Sequence, residues 1–358
     1  MFPVFSLTLM VNHACNLRCG YCYTGAKIHR PMTADIAIAA IDRAARSTAK
    51  QLELGFFGGE PLLEANSVRD WIEYTRRISA QRGIQPVFHM TTNGTQVDPI
   101  AWHVMSMPDL QLSLSHDGLP EIHDRRRRSA DGHGSSTKVL QTMDRLQQLG
   151  RDFNVVMVVG PETVSSLPEG IEFLSQRGVR QITPSLDLWT TWTGDDRQRL
   201  QQAISRSADF WRRSLPGLSV AWFDEKAARL SGVHMTSTAR CQFGHGQIAV
   251  SPLGNLYPCE RLIGEDRADN SMRLPGHVLD SADFCQMTPF RERSHPACSS
   301  CALESMCGTT CRCSNFVRTG NPATPDGLLC WLETVCFRET ARVLNDRPIE
   351  SGMEVLHV

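Results

Sequence analysis

The sequence predicts an α/β fold, a partial (β/α)6 barrel of the TIM type followed by a small cysteine-rich domain. Three observations predict it. Strand and helix signals alternate six times within about 215 residues, and repeated βα units imply a parallel sheet. The chemically unusual residues fall where those strands end, which is where such folds do their chemistry. After about Cys241 the texture changes: strands shorten, Gly, Pro and Cys rise, and periodicity fades.

The elements follow in order. Phe5–Val11 is a β-rich run, and Thr33–Lys50 carries Ile36, Ala39, Ala40 and Ile41 at helical spacing. Leu52–Phe57 is an apolar strand ending in Gly58-Gly59, and Asn66–Arg82 is a helix stopped by Gly83. Val87–Thr91 is a strand closed by Asn93-Gly94, then Asp98–Met107 is a helix. Leu110–Ser115 is a strand ending at Asp117-Gly118, and Thr137–Leu149 a helix with Gly150 as its stop. Asn154–Val159, Thr163–Gln176, Gln181–Leu186 and Asp195–Arg213 complete the fifth and sixth units. Eight units would close a barrel, so six imply an open version. The expected domains are 1–235 for the barrel, 236–340 for the cysteine-rich region and 341–358 for a tail.

Composition excludes several classes. The 358 residues carry 37 Lys and Arg against 38 Asp and Glu, a net charge of −1. A 41% hydrophobic content supports packed cores, and 21% charged residues is ordinary, so a disordered chain or nucleic-acid tail is excluded. No apolar run reaches the roughly 18 residues of a membrane helix. The opening Met1–Val11 lacks a basic n-region and a cleavage site, so it reads as a strand, and the expected location is cytoplasmic.

Thirteen cysteines are the unusual count. Three lie at 15, 19 and 22, and the other ten fall between 241 and 336. An odd number, with over two hundred residues unstapled, disfavours a disulfide framework and favours metal sites. Cys15-Asn16-Leu17-Arg18-Cys19-Gly20-Tyr21-Cys22 offers three thiolates to one cubane iron–sulfur cluster, leaving its fourth iron without a protein ligand. Zinc with His13 as fourth ligand is the plain alternative.

CxxxCx-aromatic-C after the first strand resembles the signature of the radical S-adenosylmethionine (SAM) superfamily. The resemblance implies that the open iron chelates SAM, and that the reduced cluster cleaves it to a 5′-deoxyadenosyl radical that abstracts hydrogen from substrate. Tyr21 resembles the aromatic near adenine; a core aromatic is its ordinary role. Gly58-Gly59-Glu60-Pro61 resembles the family's site for the methionyl amine, with Glu60 as acceptor. Ser115 resembles a ribose-binding residue, and Arg127 of the His123-Asp124-x-x-Arg127 pattern a SAM-contacting arginine. Taken alone, Arg125–Arg128 is a solvated basic face. Asn93 either hydrogen-bonds in the pocket or shapes the turn.

The later cysteines are spaced as Cys241, twelve residues, Gly254, four residues, Cys259, then Cys298-x2-Cys301-x5-Cys307-x3-Cys311, eighteen residues, Cys330. This order resembles the SPASM domain, which implies two auxiliary 4Fe-4S clusters and three clusters in all. By that resemblance the first auxiliary cluster takes Cys241, Cys259 and Cys311. The second takes Cys298, Cys301, Cys307 and Cys330. The eighth cysteine of some relatives is missing between Gln242 and Pro258. The first auxiliary cluster is then open, or closed by His245, by a stray Cys or by substrate. Cys285, Cys313 and Cys336 are unassigned, and a buried inert thiol is their ordinary reading. Glu260 stands where sulfatase-maturing relatives have a catalytic Asp; it is either a base or the partner of an Arg.

The resemblance implies a maturase acting on a ribosomally made peptide or protein and installing a crosslink or another oxidative change. It also implies a flavodoxin- or ferredoxin-type electron donor. The chain starts at its first strand, so a separate leader-recognition protein, or direct recognition of the peptide, is expected. No nucleic acid or membrane partner is expected. The alternatives are an anaerobic sulfatase-maturing, formylglycine-generating enzyme and, outside catalysis, an iron–sulfur electron-transfer scaffold.

Overall fold

The structure is a computed structural model that describes residues 4–47, 49–233, 243–280, 298–307 and 311–345. It divides into two compact units, neither of them a single stretch of sequence. One holds Met1–Ser115, Arg126–Asp152 and Cys241–Arg291; the other holds His116–Arg125, Phe153–Arg240 and Glu292–Val358.

In the first unit, β1 (Val4–Met10), β2 (Gln51–Phe57), β3 (Gln85–Thr92) and β4 (Leu110–Ser115) are parallel neighbours. Phe5, Leu7 and Leu9 of β1 are fully buried, the period of two that a sheet with one inward face demands. Helices α1 (Ala34–Ala45), α2 (Ala65–Arg82) and α3 (Pro99–Met105) connect them. α2 ends at Gly83 with φ +65, the left-handed cap that glycine adopts without strain. Asp98 starts α3 by accepting from Ile100 N at 2.9 Å and Ala101 N at 3.0 Å, with Pro99 at the first helical position. α5 (Ser136–Gln148) also belongs to this unit, whereas α4 (Pro120–Arg126), which follows β4, falls in the second except for Arg126.

The second unit carries β5 (Asn154–Val159), α6 (Leu167–Gln176), β6 (Gln181–Leu186), α7 (Gly194–Ser214), β7 (Ser219–Val220) and α8 (Ala221–Leu230). Its strands are parallel. Thr193 and Asp196 form a reciprocal capping box at the start of α7. The six expected βα units are therefore present, three of their strands with the expected bounds and the others within two residues.

The region after Cys241 departs from expectation in two ways. Strand β8 (Gln247–Val250) joins the first unit's sheet, parallel to β1 in the register Ser6↔Gln247 to Leu9↔Val250, and pairs with β9 (Leu256–Tyr257). This stretch thus adds an edge to the sheet instead of standing apart. Second, the chain regains long helices: α9 (Arg312–Thr319) and α10 (Gly327–Asn345), the latter crossing the expected tail boundary at 341. α10 packs on α7 and α8 of its own unit. Lys226 Nζ lies 2.8 Å from Glu333 Oε2, and Arg342 lies 2.9 Å from Asp209. Lys226 and Glu333 are both buried, so each charge needs the other. Among the described residues no helix is long and apolar enough to cross a membrane.

Beyond the strand ends, the β1–β2 ladder continues into irregular backbone. Val11 N donates to Phe57 O at 2.7 Å, Gly59 N to Asn12 O at 2.8 Å and Glu60 N to Ala14 O at 2.9 Å. A Cβ on Gly59 would lie 2.1 Å from Ala14 O, where backbone must yield. Gly83 carries only its φ of +65, with nothing within 4 Å. Gly59→Ala is expected to cost about 3 kcal/mol or more, as severe overpacking does. Gly83→Ala should cost about 1–2 kcal/mol of left-handed strain. Urea midpoints of the two variants check this; equal losses would contradict the close approach.

Candidate functional site

The loop leaving β1 carries Cys15, Cys19 and Cys22. Its backbone is held like an extra strand against residues 126–130. Arg18 N donates to Arg128 O at 2.6 Å, Gly20 N to Arg126 O at 2.9 Å and Ala130 N to Asn16 O at 3.2 Å. Asn12, fully buried, fixes the start of the loop: its Oδ1 accepts from Ala14 N at 2.9 Å and Arg30 N at 3.0 Å. Leu17 N donates to Cys15 Sγ at 3.3 Å. Burial, with the charges of Glu60 and Cys19 nearby, pushes the Cys15 thiol up to about 11 against the pull of Leu17 N. Burial also raises the Cys22 thiol, but hydrogen bonds from Lys27 and Thr24 outweigh it and hold that thiol below its usual range.

Three thiols on one loop, with donors at the sulfurs of Cys15 and Cys22, fit a cubane held by three thiolates. His13, the alternative fourth ligand for zinc, has an Nδ1 with no hydrogen-bond partner among the described residues. Its ring is fully buried, Nε2 lies 3.1 Å from Gly264 O, and burial keeps it below the usual histidine range. Among the described residues no three His, Cys, Asp or Glu side chains gather as they would on a single ion.

Glu60 follows the two glycines and is 1% exposed. Its Oε1 accepts from Thr92 Oγ1 at 2.6 Å and Leu62 N at 3.0 Å, and its Oε2 from Asn93 N at 2.7 Å. A carboxylate offers about four acceptor positions, so these three bonds leave one, on Oε2. Burial raises the Glu60 pKa despite these donors. A cationic donor at the remaining position would lower it. Gly58, at φ +148, has Asn12 O 2.5 Å from where a Cβ would sit, and Pro61 opens the short 3-10 turn Pro61–Glu64 that Glu60 caps. The glycines thus serve the approach of β2's end to the cysteine loop, in addition to any approach to a ligand.

The other expected residues lie around the same strand ends. Asn93 shapes the turn and ties it to the cysteine loop. Its Oδ1 accepts from Thr95 N at 2.9 Å, shaping the turn, and its Nδ2 donates to Asn16 Oδ1 at 2.8 Å and approaches Cys15 Sγ at 3.8 Å. Ser115 is buried at the end of β4, beside Leu114, which pairs with Thr92. Of the four consecutive arginines only Arg127 is buried; Arg125 and Arg128 are exposed. The guanidinium groups of Arg126 and Arg127 lie 5.0 and 5.2 Å from the Tyr21 ring centroid. Tyr21 is therefore a cation–π partner of Arg127 as well as a candidate adenine contact.

Cys259 is buried at the start of a 3-10 turn, and its Sγ lies 3.5 Å from Glu260 Oε2. Cys259 belongs to the first unit and Cys311 to the second, while Cys241 and Cys285 lie outside the described residues. Partial burial, then the neighbouring thiols of Cys307, Cys298 and Cys301, raise the Cys330 thiol. All four cysteines of the expected second auxiliary set lie in the second unit. Cys313 is buried with its sulfur 3.3 Å from that of Cys311. Cys336 is buried in α10, and burial pushes its thiol up to about 12, as for an inert core thiol.

Sequence reasoning missed Asn12, Thr24, Lys27 and Glu265, and gave Thr92 no role of its own. Only the turn signal Thr24-Gly25 pointed to the fold-back that brings Lys27 to Cys22.

Residues 9–174 match the Radical SAM superfamily. A cysteine-type anaerobic sulfatase-maturating enzyme of Clostridium novyi (strain NT) is 24% identical over 280 residues, covering 71% of this chain and 74% of that protein. The radical SAM cyclopropyl synthase TigE of Paramaledivibacter caminithermalis is 21% identical over 357 residues, covering 93% and 73%. The solved structure of native anSMEcpe with bound AdoMet and Kp18Cys peptide superposes with a TM-score of 0.77 at 20% identity, covering 96% of this chain and 99% of that one. The chain shares that fold.

Glu60→Gln places an amide that also donates among three donors and removes the negative charge. It is expected to weaken SAM binding about tenfold to a hundredfold, the worth of one charge-assisted hydrogen bond. Iron content should hold. Calorimetric titration with SAM checks this, and unchanged affinity would make Glu60 a turn residue only.

Proposed function

We propose that the chain is a radical SAM enzyme of the SPASM maturase type and that it oxidises a side chain of a peptide or protein. The observation that carries the reading is Glu60. It is a buried carboxylate with one acceptor position left, and its charge acts on Cys15, first of three cysteines on the neighbouring loop. With Cys15, Cys19 and Cys22 holding a 4Fe-4S cluster, bound SAM supplies a 5′-deoxyadenosyl radical able to abstract hydrogen. Glu60 Oε2 would receive the methionyl amine, and Arg127, buried against Tyr21, would contact the same molecule. Asn93 would hold the cysteine loop to the end of β3. Glu260 Oε2, beside the Cys259 sulfur, would take the proton that the oxidised substrate group releases.

The substrate we propose is a polypeptide with a cysteine or serine side chain, as the names of the sulfatase-maturating relatives suggest. Its product would be an aldehyde. A second reading is a peptide crosslink, favoured by Glu260, one methylene longer than the Asp of sulfatase-maturing relatives. The remaining cysteines, among them Cys298, Cys301, Cys307 and Cys330, would hold auxiliary clusters whose chemistry is one-electron transfer. A flavodoxin- or ferredoxin-type donor and a separate leader-recognition protein belong to the same proposal.

The test is anaerobic turnover with SAM, a strong reductant and an 18-residue cysteine peptide of the sulfatase type. Formation of 5′-deoxyadenosine together with a hydrazide-reactive peptide is expected. An oxidised peptide without aldehyde moves the reading to crosslinking. Absence of 5′-deoxyadenosine from an iron-replete protein would overturn it. Replacing Cys15, Cys19 and Cys22 by Ala should abolish that product and remove about a third of the iron.

A further inference from the structure

The segment after Cys22 folds back over it. Lys27 Nζ stands 2.9 Å from Cys22 Sγ, and Thr24 Oγ1 stands 3.3 Å from the same sulfur. Lys27 also donates to Thr24 Oγ1. Two donors therefore converge on one sulfur, and one of them is cationic.

The fold-back is held from elsewhere in the same unit. Ala26 N donates to Glu265 Oε1 at 3.1 Å. Gly25 adopts φ +74, and a Cβ there would lie 2.3 Å from Glu265 Cγ. Glu265 follows Gly264, whose carbonyl lies 3.1 Å from His13 Nε2. The 264–265 turn thus grips the cysteine loop before its first cysteine and after its last, and that grip delivers Lys27 to Cys22.

We propose that Lys27 is a positioning residue that sets the reduction potential of the SAM-binding cluster through the Cys22 thiolate. The inference rests on the reading of Cys15, Cys19 and Cys22 as cluster ligands. Reduction adds one negative charge, which spreads onto the ligand sulfurs. A cation hydrogen-bonded to one of those sulfurs stabilises the reduced form more than the oxidised form. Hydrogen bonds to sulfur and local charge are among the factors that set the potentials of such clusters.

The experiment is an EPR-monitored redox titration of the reconstituted full chain, following the signal that added SAM perturbs. Lys27→Met should lower the reduced-to-oxidised ratio at a fixed potential about tenfold, a shift of about 59 mV for one electron. Lys27→Arg, which keeps the charge, should stay within about threefold of wild type. Thr24→Val and Glu265→Ala should shift the midpoint in the same direction by less. An unchanged midpoint in Lys27→Met, with wild-type iron content, overturns the inference and leaves the proposed function standing. If Lys27→Met takes up no cluster, unchanged midpoints in both Thr24→Val and Glu265→Ala overturn it. A Cys15, Cys19, Cys22 triple variant that keeps the SAM-perturbed signal overturns the underlying reading instead.

Discussion

The site depends on one backbone approach. Residues 57–60 run so close to residues 11–14 that the parallel ladder of β1 and β2 continues past both strands, through Gly59 N to Asn12 O and Glu60 N to Ala14 O. At positions 58 and 59 only residues without a Cβ fit. That approach fixes the first cysteine of the loop and the Glu60 carboxylate on adjoining backbone, so neither position can drift without the other. Thr92 and Asn93 at the end of β3 then hold Glu60 from the opposite side, and Asn93 reaches across to Asn16. Three consecutive strand ends thereby share one hydrogen-bonded network, with the cysteines on one side and a single acceptor position on Glu60 Oε2.

The same loop is gripped from a part of the chain remote in sequence. Strand β8 lies beside β1, and the segment after β9 returns to place Gly264 O on His13 and Glu265 on Ala26. Asp266 next to it takes φ +57 and accepts from Tyr257 OH at 2.7 Å and Asn255 Nδ2 at 2.9 Å. A buried carboxylate with two donors is a fixed point, and it holds the turn against the loop. Because β9 leads directly into Cys259 and Glu260, the geometry of the N-terminal cysteines and that of Cys259 are set within one unit.

Much of this was legible in the sequence because it is local. Alternating burial in β1, the glycine stops at Gly83 and Gly150, and the Asp98-Pro99 helix start each follow from a few neighbouring residues. Gly58-Gly59-Glu60-Pro61 and the cysteine spacing were legible for the same reason. What was hidden depends on distant pairing. Arg127 was selected by motif, but its contact with the Tyr21 ring, a hundred residues upstream in the chain, was not legible. The placement of β8 beside β1 joins residues some 240 apart, and no pattern within Gln247–Val250 announces its partner. α10 was obscured because Cys330 was read as a cluster ligand in a metal-held region, whereas Leu328, Val335, Phe337 and Val343 give that segment an ordinary buried helical face. Lys27 was invisible because its partner, Cys22, is reached only through a turn that Glu265 holds.

The central claim is that the β1 loop holds an iron–sulfur cluster with one iron open toward Glu60. A crystal structure of the anaerobically reconstituted protein with SAM, phased on iron anomalous scattering, tests it most directly. The account predicts three irons bonded to the sulfurs of Cys15, Cys19 and Cys22, a fourth iron with no protein ligand, and the SAM amine within hydrogen-bond distance of Glu60 Oε2. A single metal ion at those cysteines, or a fourth protein ligand such as His13 closing the site, would contradict it.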